Sequence, residues 1–343
     1  MKYFLLFFTV LCSMFLISCQ TDEQLKLDLL LKGNEYLEGG DFKRAIKSYT
    51  GAIQLDQEFV DAYNNRGVAY FESGSASEAL ADYNKAIELK PEYIEAIFNR
   101  SNALVELGRF EKAHEDLDKV GLAFPDTSTV YFAKGLVYSK SGHYKLSLDE
   151  FMSASEIDPN NIEIPINLAT AYYYLNDFEN AESYLKNAIK LDSEHPNIFN
   201  LKSLIALKRQ DYMEALDWIN EALNKAPNDP YLINNRGFVY IQLDSLEKAE
   251  TDINESLRID PLNGWAYRNR GILMAEREQY EDAVRLLKRA FEDDQTIEDI
   301  KEYLVQALVL NDQLDEACDY VQNIQESPNF NFTKLRKQCS EAL

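Results

Sequence analysis

The side chains able to do chemistry are few and scattered. The three histidines, His114, His143 and His195, lie far apart. None stands four residues from another, the spacing that sets two imidazoles on one helix face around a zinc ion. No glycine loop of the phosphate-cradling kind occurs, and no nucleophile elbow. Aspartate is plentiful, but never in the alternating pattern around a glycine that a calcium loop needs. Carboxylates that could serve as acid and base are everywhere, and on a chain of formal charge −23 they read as solvated helix surface. The expectation is therefore a protein with no catalytic residues, no metal ligands and no cofactor.

The sulfurs are more informative. Lys2 precedes an apolar run over 3–17, broken only by Thr9 and Ser13. A spanning helix needs about 20 apolar residues, so this run has the length of a signal-peptide core. It ends in Leu16-Ile17-Ser18-Cys19, which resembles a bacterial lipobox. The resemblance implies cleavage before Cys19, diacylation of its sulfur and a freed amino group that can be acylated in turn, giving two or more chains and stable anchoring. The competing reading is an ordinary secretory leader with a chance cysteine near its end. Gln20 rather than Asp follows Cys19, which by resemblance to Gram-negative lipoproteins implies the outer membrane, on its periplasmic or its surface face. Asp22-Glu23 weakly resembles a surface-export signal. Cys12 falls within the leader, leaving Cys318 and Cys339 near the C-terminus. In an extracytoplasmic compartment these two are either a disulfide, closing a loop worth about 3 kcal/mol, or a pair of buried thiols.

The elements that would position any site repeat. The stretch 61–91 has fixed points at Gly67, Tyr70, Ala79, Tyr83, Ala86 and Pro91. Steps of 34 from Gly67 meet Gly33, Ser101, Gly135, Ala169, Ser203, Gly237 and Gly271; a second series runs through Ala45, Ala79, Ala113, Ser147, Ala181, Ala215, Ala249, Ala283 and Ala317. Small residues at a fixed period mark points where helices approach closely. These residues resemble the tetratricopeptide repeat (TPR) family. The resemblance implies an all-α fold, a right-handed superhelical solenoid of helix-turn-helix units. It divides the chain into a lipoprotein signal peptide (1–18), the lipidated cysteine and a short linker (19–25), eight repeats (26–297), and a degenerate ninth repeat with a capping helix (298–343). Pro91, Pro125, Pro159, Pro227 and Pro261 close second helices. Repeat eight lacks that proline and ends in Glu292-Asp293-Asp294.

Within the repeats a basic residue on the first helix recurs with an acidic residue on the second: Arg66/Asp82, Arg100/Asp116, Lys134/Glu150 and Arg236/Asp252. The expected role is an ion pair joining the two helices. Lys32/Ser48, Leu168/Tyr184, Lys202/Trp218 and Arg270/Leu286 break the pattern.

In the TPR family the first helices line the concave surface. Helical periodicity then gathers a stripe of large apolar groups there, including Phe71, Phe98, Phe132, Tyr173, Tyr174, Tyr231, Phe238 and Trp265. Either this stripe holds a segment of another protein, extended or helical, or neighbouring helices bury it. Asn34 and Asn65 occupy the places of the asparagines in the family's carboxylate clamp, but Leu30, Glu95 and Asn99 stand where its cations belong. A chaperone-tail receptor is therefore excluded. The acidic balance also excludes nucleic acid and broad contact with anionic lipid, and points to solubility or to a basic partner. The expected role is a protein–protein scaffold in the cell envelope, anchored to the membrane by lipid. A pilot or assembly factor for an outer-membrane complex and a self-assembling array are the alternatives.

Overall fold

The computed structural model describes residues 21–324 and 331–342. The leader and Cys19 lie outside them. All the regular structure among the described residues is helical. The chain divides into two compact units, 1–141 and 142–343. The first holds α1 (Asp22–Glu38), α2 (Phe42–Leu55), α3 (Val60–Glu72), α4 (Ala76–Leu89), α5 (Ile94–Glu106), α6 (Phe110–Ala123) and α7 (Ser128–Lys140). The second begins with α8 (Tyr144–Ile157), α9 (Glu163–Tyr174), α10 (Phe178–Leu191), α11 (Pro196–Lys208) and α12 (Tyr212–Lys225). It continues with α13 (Pro230–Gln242), α14 (Leu246–Ile259), α15 (Gly264–Glu276), α16 (Tyr280–Asp293), α17 (Ile300–Leu310), α18 (Leu314–Tyr320) and α19 (Phe332–Ala342). Inside each unit every helix packs on the one before it and the one after it.

Helix α1 starts at Asp22, inside the stretch expected to be a linker. Thr21 caps it: its hydroxyl accepts from the Gln24 amide at 3.2 Å while the Gln24 side chain reaches back to the Thr21 amide. Two otherwise unpaired donors are met reciprocally, so the helix nucleates four residues ahead of the repeat register.

The recurring small residues do what their spacing suggests. A Cβ on Gly67 would stand 2.6 Å from Cε1 of Tyr83, and one on Gly33 would stand 2.3 Å from Cε1 of Tyr49. Tyr49 and Tyr83 are fully buried. The ring from the second helix thus lies flat on the backbone of the first, and only glycine leaves room. Opposite Leu185 the chain accommodates alanine at 169, although Leu287 still crowds Gly271, where a Cβ would stand 2.6 Å from its Cγ.

The turn inside each pair uses one left-handed residue. Gly40, Gly74, Gly108 and Gly142 fill it in the early repeats, and Asn176, Gln210, Asp244, Glu278 and Asp312 in the later ones. Asparagine and aspartate visit this region at modest cost; glutamine and glutamate do so against a steric penalty.

The C-terminal cap closes over one core cluster that includes Val321, Ile324, Phe332 and Leu335. Cys318 and Cys339 are joined as a disulfide with Cα atoms 5.5 Å apart. It ties α19 back to α18, and Arg336 adds a hydrogen bond to the Ile324 carbonyl at 2.8 Å.

Candidate functional site

Three of the expected ion pairs are present, and each has a third member. The Arg66 guanidinium donates twice to Asp82, at 2.7 Å each, and also to the Thr50 hydroxyl at 3.0 Å. Arg100 grips Asp116 in the same way and reaches Asn84 at 2.9 Å. Arg236 holds Asp252 and reaches Asn220 at 3.2 Å. The third ligand comes from the second helix of the preceding repeat. One planar fork therefore ties three helices, which a lysine could not do with the same geometry. Lys134 makes an equivalent link to Asp118, at 2.5 Å. In repeat six the pair is replaced by Lys202 standing 4.2 Å from the centre of the Trp218 ring.

The asparagines of the clamp positions are likewise consumed inside the fold. Asn65 donates to Asn34 at 3.0 Å, Tyr49 donates to the same oxygen at 2.8 Å, and Asn99 donates to Asn64 at 3.1 Å. Asn235 to Asn200 and Asn269 to Asn234 repeat the link in the second unit. These amides stitch α1 to α3, α3 to α5, α11 to α13 and α13 to α15.

The aromatic stripe divides into groups. In the first unit, Phe71 and Phe98 are half-buried against a common cluster with Leu80, Tyr83 and Leu104. Phe98 also floors an open depression of about 460 Å³ walled by Ile94, Val120, Val130 and Phe124. Phe124 is 53 % exposed at its rim. The stripe reading missed Phe124, which sits at the end of a second helix rather than on a first; the one sequence signal is its place just before the closing Pro125. Phe132 is half-buried.

In the second unit Tyr231 is exposed, while Phe238 and Trp265 are half-buried. Tyr173 differs from the expectation: it is 3 % exposed. It packs with Ala169, Leu185 and Ile205 and against the Phe178 ring, so it belongs to the core and not to an open face. Tyr174 stacks on Tyr144, with ring centres 4.6 Å apart. Burial raises the hydroxyl pKa of both Tyr173 and Tyr174, and the nearby Glu298 carboxylate adds to the effect. Phe238 and Trp265 flank Arg268, their ring centres 4.9 and 5.0 Å from its guanidinium carbon.

Of the histidines, His195 meets Glu163 at 3.3 Å and His114 packs on the Tyr138 ring. Among the described residues no group of three or more histidine, cysteine or acidic side chains stands together to hold a metal. No described helix is long and apolar enough to cross a membrane.

Residues 33–74, 60–93, 128–161, 166–230 and 231–261 each match a family model described as a TPR or tetratricopeptide repeat. The chain is a tetratricopeptide-repeat protein. No curated protein matches the sequence of this TPR chain at a significant level. Among solved structures, it is similar to the APC/C hetero-tetramer Cut9–Hcn1, at 16 % identity and a TM-score of 0.54, over 82 % of this chain and 55 % of that one. That likeness is one of fold. A tetratricopeptide repeat protein from Parabacteroides merdae is 20 % identical over 83 % of this chain and 99 % of its own, with a TM-score of 0.46. The pilF protein of Pseudomonas aeruginosa is 18 % identical over 61 % and 95 %, with a TM-score of 0.49. TPR proteins in general mediate protein–protein interactions and are generally not enzymes.

Proposed function

We propose that this TPR protein is a docking scaffold, tethered through acyl chains on Cys19 to a bacterial envelope membrane, that holds a segment of another protein against its first-helix faces. The depression floored by Phe98 and rimmed by the exposed Phe124 carries the docking part. An aromatic ring left half in water beside an apolar hollow offers large contact area at small entropy cost, the usual make-up of a binding anchor. The formal charge of −23 favours encounter with a basic partner through long-range attraction. The lipobox-like Leu16-Ile17-Ser18-Cys19 supports the tether. Outer-membrane placement follows from Gln20, by the resemblance that marks it.

Two measurements test this. Affinity capture from detergent-solubilised envelopes should yield a dominant partner that Phe98→Ala with Phe124→Ala releases; folded variants retaining that partner would remove the docking site from these residues. Fractionation should find the parent chain with membranes and Cys19→Ala in the soluble pool. An unchanged distribution would end the tether reading.

A further inference from the structure

The loop between α16 and α17 departs from the repeat. By the 34-residue register α17 should begin at 298, as α15 does at Gly264, yet it begins at Ile300. Asp299 sits in the left-handed region at φ 57°, and Glu298 is released from the helix. Ile297, buried at 3 %, is pinned against Gly264, where a Cβ would meet its Cδ1 at 2.9 Å. From that anchor the strap 297–299 reaches back to repeat six: Lys208 at the end of α11 holds the Glu298 carboxylate at 2.7 Å and approaches Asp299 at 3.9 Å. Every other inter-repeat ion pair described above joins neighbouring repeats.

The floor under this strap carries a cation whose charge is not matched. Arg268 is 5 % exposed, with aromatic rings of Phe238, Trp265 and Tyr303 around its guanidinium. Its hydrogen bonds go to the Asn269 amide oxygen at 3.0 Å and to the main-chain carbonyl of Glu298 at 2.7 Å. No carboxylate among the described residues lies within ion-pair distance of it. A charge this buried and served only by neutral oxygens is costly, and a carboxylate would relieve the cost. Tyr174 and Tyr303 stand beside Glu298 with hydroxyls that burial holds protonated.

We propose that Lys208 and Arg268 form a receiving site for an acidic peptide segment, and that the strap 297–299 is a displaceable internal ligand occupying it. This rests on the docking reading above and specifies one of its faces. The partner's local sign is acidic there, against the basic preference set by the chain's overall charge. The strap supplies one carboxylate to Lys208 and only a carbonyl to Arg268. An incoming pair of carboxylates would satisfy both cations, and that difference is what drives displacement.

The test uses the full chain carrying Trp218→Phe, which leaves Trp265 as the reporter beside Arg268. The probe is a blocked peptide copying residues 293–300, and the control replaces its acidic residues by lysine. In the Glu298→Gln, Asp299→Asn chain the acidic peptide should bind at least tenfold more tightly than with the strap intact. Adding Lys208→Ala should weaken that binding tenfold or more, and the lysine peptide should give no saturable change. Equal affinity with and without the strap, indifference to Lys208, or equal binding of the lysine peptide would each overturn the proposal. Should the strap variant fail to fold, amide exchange over 297–300 in the otherwise unaltered chain gives the same answer. Saturating acidic peptide should speed it severalfold, and no change would overturn the strap. A chain that still captures its partner through Phe98 and Phe124 while failing here would keep the docking reading and lose only this one.

Discussion

Gly67→Ala is a one-carbon change whose outcome can be worked from the packing. The new Cβ would stand 2.6, 2.9 and 3.1 Å from Cε1, Cδ1 and Cζ of Tyr83. Tyr83 is 1 % exposed, so its ring cannot swing into water without vacating the core. Overpacking of this kind costs about 1–3 kcal/mol, and alanine's advantage over glycine inside a helix returns about 0.8–1 kcal/mol. The net expectation is a loss of up to about 2 kcal/mol. Tyr83→Leu alone should also destabilise, because it empties part of the core. The double variant recreates the Ala169/Leu185 pairing found in repeat five, where both residues are buried. Its loss should therefore fall short of the sum of the two single losses by about 1 kcal/mol or more. Gly74→Ala is the control: nothing lies within 4 Å of its Cβ and φ is +81°, so its cost comes from the backbone and should not couple to Tyr83. Urea unfolding followed by far-UV circular dichroism gives the four free energies. The slope should be compared across variants, since repeat arrays can unfold in blocks. A coupling below about 0.3 kcal/mol between Gly67→Ala and Tyr83→Leu would refute the ring-on-backbone account.

Four further outcomes are expected. Asp82→Ala should cost about 3 kcal/mol in urea unfolding because it strands the Arg66 guanidinium, whose side chain is only 16 % exposed, and Arg66→Leu with Asp82→Ala should cost less. Gln210→Gly should raise the unfolding free energy from urea titration by about 0.5–1 kcal/mol, since glutamine there holds φ at 61°. Reducing Cys318–Cys339 should expose the cap to limited proteolysis, with a stability loss of about 3 kcal/mol for a loop of this size; unchanged cleavage would argue against any role for the bond. Burial pushes the Tyr49 hydroxyl up to about 12 from its ordinary 10, so the folded chain keeps a proton that the unfolded chain gives up. That contribution is complete below pH 10 and lost as pH rises towards 12; Tyr49→Phe should flatten the fall in urea midpoint across this range.

The sequence alone determined the repeating frame, because neighbours in a helical array are 34 residues apart and their fit must be written into both. Small residues at a 34-residue step, arginine opposite aspartate and proline after five of the second helices are local conditions, and each was legible. The partners beyond one repeat were not. Thr50, Asn84 and Asn220 complete the arginine forks from the preceding helix, and nothing in their residue types announced it. Periodicity put Tyr173 and Tyr231 on the same stripe, yet one is core and the other stands in water. A helical wheel gives a direction; how much a neighbouring helix covers that direction depends on the angle between repeats. The contact of Glu298 with Lys208 is the extreme case. It spans two repeats and depends on a helix that starts two residues late. The missing closing proline marked the irregular loop. Only the packing of unit two brought its carboxylate to that lysine and left Arg268 beneath it with a neutral carbonyl.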